Sequence, residues 1–180
     1  MDGNGRWGKK RKKGRNFGHL KGVETVKKIV TAPLRWNIPI ITFYVFSSEN
    51  WKRPKKERSY LFKLIKSYFL KEIGSIIKQG IKLQILGEVK KFSNDLKLVL
   101  KKTTLLTKKN KKIIVNLAIN YGSRTEILKA VKRSRNNLSI KNIGRNLYTK
   151  KMPDPDILIR TGGYQRLSNF LLWQLAYTEL

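Results

Sequence analysis

The sequence contains no cysteine and one histidine, His19. A disulfide framework and a thiolate metal site are therefore excluded, and so are the multi-histidine metal clusters of metalloproteases. Acidic residues are scarce: 11 Asp+Glu stand against 41 Lys+Arg, a formal net charge of +30. No apolar run approaches the ~18–20 residues of a membrane span. The longest runs, Ile38–Phe46 and Phe170–Tyr177, have the length of core strands or helices. The N-terminal stretch is polar and basic with no apolar segment behind it, which does not read as a signal peptide. These lacks lead to the expectation of a soluble cytoplasmic protein. Against them stands a 40% hydrophobic fraction over 180 residues. That is enough for one domain with a real core.

The charge admits two readings. A pI near 10.6 suggests a nucleic-acid partner. Compositional bias towards Lys is the reading favoured, because the lysines are scattered over nearly every segment, Lys108, Lys109, Lys111 and Lys112 among them. Neither an RNA-recognition signature nor a basic face with interleaved aromatics is visible, so no specific nucleic-acid partner is expected.

Residues 1–19 read as a basic, glycine-rich loop. From Leu20, the apolar residues Val23, Val26, Ile29 and Val30 predict a helix that ends near Pro33. Ile38–Phe46 predicts a buried strand, Leu61–Ile73 a long amphipathic helix, Ile81–Ile85 a strand closed by Gly87, and Leu96–Leu100 a helix. Ile113–Ile119 predicts another strand, and Ser123-Arg124-Thr125-Glu126 has the spacing of a capping box. Ile157–Ile159 predicts a last strand, followed by a closing helix through Tyr177 that Ser168 could cap. Strands alternating with helices imply an α/β fold of one domain, with a mainly parallel central sheet flanked by helices. Its sites are expected at the carboxyl ends of the strands.

Three segments carry chemistry. In Asp2-Gly3-Asn4-Gly5-Arg6-Trp7-Gly8-Lys9-Lys10, the glycines satisfy the dinucleotide pattern G-x-G-x-x-G, yet that pattern needs a strand before it. A Walker reading fails at Lys10, where Ser or Thr should meet the metal. A solvated basic tail and a phosphate-cradling loop both remain open. In the second case backbone N–H groups approach the anion, Arg6 and Arg15 fork onto its oxygens, and Asp2 holds a bridging divalent cation. The second segment, Phe46 to Pro54, clusters Ser47, Ser48, Glu49, Asn50, Trp51 and Arg53 after a strand; it is either a site or an ordinary turn under a Trp. The third, Ile159 to Phe170, places Arg160 before a glycine turn, with Arg166, Leu167 and Ser168 at an expected helix N-terminus. That is a second anion site or a plain β–α turn.

Together with Phe17–His19, Gly22, Asn120-Tyr121-Gly122 and Asp156–Glu179, these segments resemble the cis-prenyltransferase family, and in particular its undecaprenyl diphosphate synthases, over essentially the whole chain. The resemblance implies condensation of isopentenyl diphosphate with an allylic diphosphate, usually farnesyl diphosphate, in Z geometry. The product would be a polyprenyl (undecaprenyl) diphosphate, the precursor of the lipid carrier for cell-wall glycan. It implies magnesium as cofactor, a homodimer, and transient contact with the inner membrane surface through the lipid product. Asp2 is similar to the family's metal-binding catalytic aspartate, and Glu179 to a second metal-associated carboxylate. Gly3, Asn4, Gly5, Arg6, Trp7, Arg15 and His19 match its allylic diphosphate cradle. Ser47, Ser48, Glu49, Trp51 and Arg53 match substrate-site positions, and Asn50 a residue tied to proton removal. Arg160, Arg166, Leu167 and Ser168 match the isopentenyl diphosphate clamp. Tyr164-Gln165 departs from the family pattern, which usually has Glu followed by a contacting residue such as His. The resemblance also implies an apolar strand before Asp2 and further chain beyond Glu179. The expectation is therefore a catalytic domain over residues 1–180, truncated at both ends. An apolar tunnel for the growing chain is expected among the Ile38–Phe46 and Ile81–Ile85 strands and the Leu61–Ile73 helix.

Overall fold

A computed structural model describes residues 1–180. Three parallel strands, β1 (Ile40–Ser47), β2 (Ile81–Leu86) and β3 (Ile113–Tyr121), form a sheet in the order β1-β3-β2. Six helices accompany them: α1 (Asn4–Lys10), α2 (Gly14–Arg35), α3 (Lys55–Lys78), α4 (Asn94–Leu106), α5 (Ser123–Arg133) and α6 (Ile140–Asn146). The single α/β domain with a parallel sheet agrees with the expectation.

The last strand in sequence, β3, lies in the middle, and nearly all of it is buried. Its Val115, Leu117 and Ile119 join Phe43, Phe46, Leu83 and the inner faces of α3 and α4 in the larger core cluster. Ala118 faces the other way, into a smaller cluster with Leu86, Tyr121, Phe170, Leu171 and Leu175. Alternation along a strand is what sends neighbours to opposite faces. It breaks at Asn120, which has φ +48, where the β1–β3 register shifts beyond Tyr44. Such irregularities re-aim side chains at strand ends. Here Asn120 is turned so that its amide bridges the Trp51 indole (2.7 Å) and the Glu88 carbonyl (2.7 Å).

Four expectations are corrected. Residues 1–19 are not a loop: α1 and the first turns of α2 occupy most of them. The glycines serve helix–helix contact, for a Cβ on Gly18 would sit 1.8 Å from the Asn4 carbonyl oxygen and one on Gly8 would sit 2.2 Å from that of Gly14. The second helix ends at Arg35, near Pro33 as expected, and starts earlier, at Gly14. The capping box at Ser123 does not form. Gly122 is the N-cap, Ser123 accepts from the Leu172 N–H, and Glu126 is buried beneath Tyr121, Tyr148 and Gln174. Finally, Ile157–Ile159 is not a sheet strand. Only an isolated bridge joins Ile157 to Glu179, and Ile157 and Ile159 are exposed. No closing helix follows, because Ser168 (φ +50), Asn169 (φ +64) and Leu171 (φ +41) are left-handed. Side chains rarely sustain that conformation over a helix. The segment docks instead through Asn169, which accepts from the Ser123 and Arg124 N–H groups.

Candidate active site

Parallel strands deliver their carboxyl ends to one edge, and the candidate residues collect there. After β1, Ser47 and Asn50 reciprocally cap a 3-10 turn over Ser48–Lys52. The Ser47 N–H donates to the Asn50 amide oxygen at 3.2 Å. Asn50 Nδ2 makes no protein hydrogen bond. Glu49 accepts from Asn169 at 2.7 Å, and burial, which works against its ionisation, is outweighed by that and other hydrogen bonds, so its carboxyl lies below the ordinary value. Gly122 is required beneath this turn, because a Cβ there would sit 2.5 Å from Ser48 Oγ and 2.7 Å from Asn169 Nδ2.

Asp2 is fixed from two sides. Its backbone N–H and C=O both bond to the Thr161 hydroxyl, at 2.9 and 2.8 Å. Its carboxylate meets Arg160 at 2.9 Å, Arg6 at 3.3 Å and the Gly3 N–H at 2.6 Å. Partial burial pushes its carboxyl up, but the Arg160 bond, the Gly3 N–H and the Arg6 charge prevail and hold it below the ordinary value. Gly3 (φ +87) and Gly162 (φ +94) face each other here, and a Cβ on Gly3 would come within 3.0 Å of Gly162 Cα. That contact lets the first and third candidate segments of the sequence close against one another.

Arg160 also donates to Ser168 Oγ at 2.9 Å and to the Arg166 carbonyl. Its Nε is buried and has no partner. The Tyr164 ring is stacked beneath both Arg6 (4.3 Å) and Arg166 (4.6 Å), so the first residue of the Tyr164-Gln165 departure braces two arginines. Leu167 packs against the smaller core cluster. Arg166 and Ser168 do not lie at a helix N-terminus, so the helix dipole expected for an anion at this turn is absent.

A third group meets at Glu57, which the sequence reading missed. Its carboxylate accepts from Arg15 through both oxygens (3.1 Å each), from Arg53 at 3.3 Å, and contacts His19 Nε2 at 3.2 Å. Burial works to raise its carboxyl, and the Arg15 and His19 bonds outweigh that and lower it. Burial lowers His19 despite the Glu57 carboxylate. The legible signal was the Arg53/Glu57 spacing of four residues across the start of α3. A Cβ on Gly5 would lie 3.1 Å from the Arg15 guanidinium, which places this group against α1. Asn4 lies on Gly22, while Trp7 stacks on Phe17 (5.9 Å) at the outer side of α1, under Arg11. Glu179 is held by its backbone, to Asp156 and Leu158, and its carboxylate pairs with no residue. No group of three or more acidic or histidine side chains is arranged to hold a metal.

Beside the cationic edge lies a cavity of about 60 Å³ with a wholly apolar lining. Its walls come from α2 (Val23, Val26), β1 (Phe43, Val45), α3 (Ile65, Tyr68, Phe69) and β3 (Leu117, Ile119), with Met1 at one end. The expected contribution of the Ile81–Ile85 strand is absent, because β3 lies between β2 and β1.

The family model described as "Putative undecaprenyl diphosphate synthase" matches residues 1–180. An isoprenyl transferase of Clostridium tetani is 43% identical over 99% of this chain and 74% of its own length. The ditrans,polycis-undecaprenyl-diphosphate synthase, (2E,6E)-farnesyl-diphosphate specific, of Haemophilus influenzae is 42% identical over 100% of this chain and 80% of its own. Among solved structures, a probable undecaprenyl diphosphate synthase of Campylobacter jejuni superposes with a TM-score of 0.82 at 34% identity, covering 88% of this chain and 76% of that one. Lavandulyl diphosphate synthase of Lavandula x intermedia, in complex with dimethylallyl diphosphate, gives 0.95 at 27%, covering 99% and 82%.

Proposed function

The chain belongs to the undecaprenyl diphosphate synthase family of prenyltransferases, and from that premise we propose that it condenses isopentenyl diphosphate with farnesyl diphosphate, in Z geometry, to a polyprenyl diphosphate of the undecaprenyl type. The observation that carries this reading is the junction of a cationic edge with an apolar cavity. Asp2, Arg6 and Arg160 converge next to Met1, which lines the cavity. One end suits a diphosphate and the other a hydrocarbon chain.

Chemically, the allylic C–O bond breaks, its diphosphate leaves, a C–C bond forms to the isopentenyl unit, and that unit loses a proton to set the new double bond. Two anionic substrates must be held side by side, which demands clustered arginines. Arg6, with Arg15 oriented by Glu57, serves the allylic diphosphate. Arg160, with its unpartnered buried Nε, and Ser168 serve the isopentenyl diphosphate. Charge grows on the departing diphosphate, and preorganised cationic donors stabilise it. Asn50 is a poor base, since an amide scarcely takes a proton. Its free Nδ2 orients a substrate, and a diphosphate oxygen or water accepts the proton. The apolar lining excludes water from the reacting carbons.

The donor set fits a magnesium ion, because one carboxylate plus substrate phosphate oxygens is a usual magnesium ligation. Asp2 is that carboxylate, partly exposed and ionised among arginines. Magnesium bound there would neutralise charge on the leaving diphosphate. The reading includes a homodimer. It is supported by the exposure of Ile157 (68%), Ile159 (80%) and Tyr177 (100%), apolar surface that a second copy would cover. No helix is long and apolar enough to cross a membrane.

The test is incubation with farnesyl diphosphate, labelled isopentenyl diphosphate and magnesium. Butanol-extractable labelled polyprenyl product is expected. Absence of product from a folded protein that binds both substrates overturns the reading.

A further inference from the structure

At the end of the sheet opposite the candidate active site, the segments that precede the three strands lie side by side. The Lys112 N–H bonds the Gly80 carbonyl (3.0 Å), the Ile114 N–H bonds that of Pro39 (2.8 Å), and Asn110 bonds that of Ile81 (2.7 Å). Together they expose apolar side chains that nothing covers: Trp36 (72%), Leu105 (66%), Leu106 (47%), Ile38 (41%) and Ile77 (40%). Around them stand Arg35, Lys78, Lys108, Lys109, Lys111 and Lys112, all exposed and none in an ion pair. No acidic residue opposes them within these segments, and between Asp95 and Glu126 the chain has none.

We propose that this face docks on an anionic lipid surface. An apolar centre with an exposed indole, ringed by long basic side chains, suits a bilayer interface: the ring sits at headgroup level while the lysines reach the lipid phosphates. A nucleic acid would match the charge but not the apolar centre. Placement supplies a second argument, which rests on the prenyl-transfer reading. The apolar cavity lies between α2 and α3, and both helices run from the cationic edge towards this face, ending at Arg35 and Lys78. A hydrocarbon chain that lengthens from Asp2 through the cavity grows towards the lipid.

Vesicle flotation tests the proposal. The protein is expected to float with phosphatidylcholine–phosphatidylglycerol vesicles, to ignore pure phosphatidylcholine, and to lose affinity as salt rises. Each basic group near an anionic surface contributes roughly fivefold in partitioning. A variant carrying Trp36→Ser with Lys108→Gln, Lys109→Gln, Lys111→Gln and Lys112→Gln should therefore bind at least about tenfold more weakly, with its circular-dichroism spectrum unchanged. A variant with the same charge removed elsewhere, at Lys132, Lys141, Lys150 and Lys151, should bind like the parent. Equal loss in both variants, retained binding in the first, or a change in self-association without any vesicle binding overturns the proposal. Polyprenyl synthesis measured in detergent without vesicles reports on the prenyl-transfer reading separately: product without vesicle binding refutes only the lipid face.

Discussion

Replacing Glu57 with alanine should loosen the structure and blunt one substrate site together. The Glu57 side chain is 10% exposed and stands against Arg15, Arg53 and His19, which are 38%, 33% and 10% exposed. A sheltered charge-assisted hydrogen bond contributes ~1.5–3 kcal/mol. The two arginines are about one-third exposed, and solvent screening reduces each of those pairs to below ~1 kcal/mol. The loss is therefore about 2–3 kcal/mol, which for a chain of this size lowers Tm by roughly 4–12 °C. Arg15 has no other hydrogen-bond partner, so its ordering would fall on substrate binding. Immobilising one long side chain costs ~0.5–1.5 kcal/mol, or about 2- to 10-fold in the KM for the allylic diphosphate, with kcat less affected. The pH dependence gives an independent check. Because the folded Glu57 carboxyl lies below its unfolded value, its stabilisation is full above about pH 4.3 and is lost as pH falls through the lower folded value. His19 is also lowered in the fold, so it too withdraws stability towards acid, from about pH 6.5 downward. The Tm gap between the parent and Glu57→Gln should thus close in acid. A gap unchanged between pH 7 and pH 3, or an alanine variant that melts within about 2 °C of the parent, would refute the reasoning.

Asp2→Ala should leave the circular-dichroism melt near that of the parent and lower turnover by ~10²–10³ or more, the usual effect of losing a transition-state charge stabiliser; parent-like rates would remove Asp2 from the chemistry. Arg160→Ala deletes contacts to Asp2 and Ser168 and the unpartnered Nε, and should raise the KM for isopentenyl diphosphate by about 10–150-fold, the equivalent of one charge-assisted bond. An equal rise for the allylic substrate would show that the two diphosphates are not held separately. Gly18→Ala forces a methyl to 1.8 Å from the Asn4 carbonyl and should separate α1 from α2, costing roughly 1–3 kcal/mol or more by overpacking, together with affinity for the allylic diphosphate. Unchanged Tm and KM in that variant would mean that the two helices do not need this contact.

The sequence by itself determined the α/β class, the three sheet strands, the long helices and the family. Each of these rests on local periodicity or on motifs whose order along the chain is preserved. β2 was visible as alternation of period two, α3 and α4 as helical spacing, and β1 and β3 as short continuous apolar runs, because burial on one face imposes those periods while a parallel strand covered on both faces is apolar throughout. Failures came where distant partners outcompeted local preference. Ser123 and Glu126 read as a capping box, yet Leu172, Tyr121, Tyr148 and Gln174 take their side chains. Glycines that suggested a loose N-terminal loop are the surfaces on which α1 and α2 touch, a use that spacing along one strand of sequence does not reveal. The run from Ile157 to Tyr177 looked like a strand and a helix, but left-handed residues and the docking of Asn169 on α5 decided otherwise. The site divided in the same way. Its residue types were legible one segment at a time. Tertiary structure alone brought Asp2 to Arg160, across 158 positions, and gathered Arg15, His19 and Arg53 on Glu57, because a buried or half-buried charge must find its counter-charge wherever the fold supplies one.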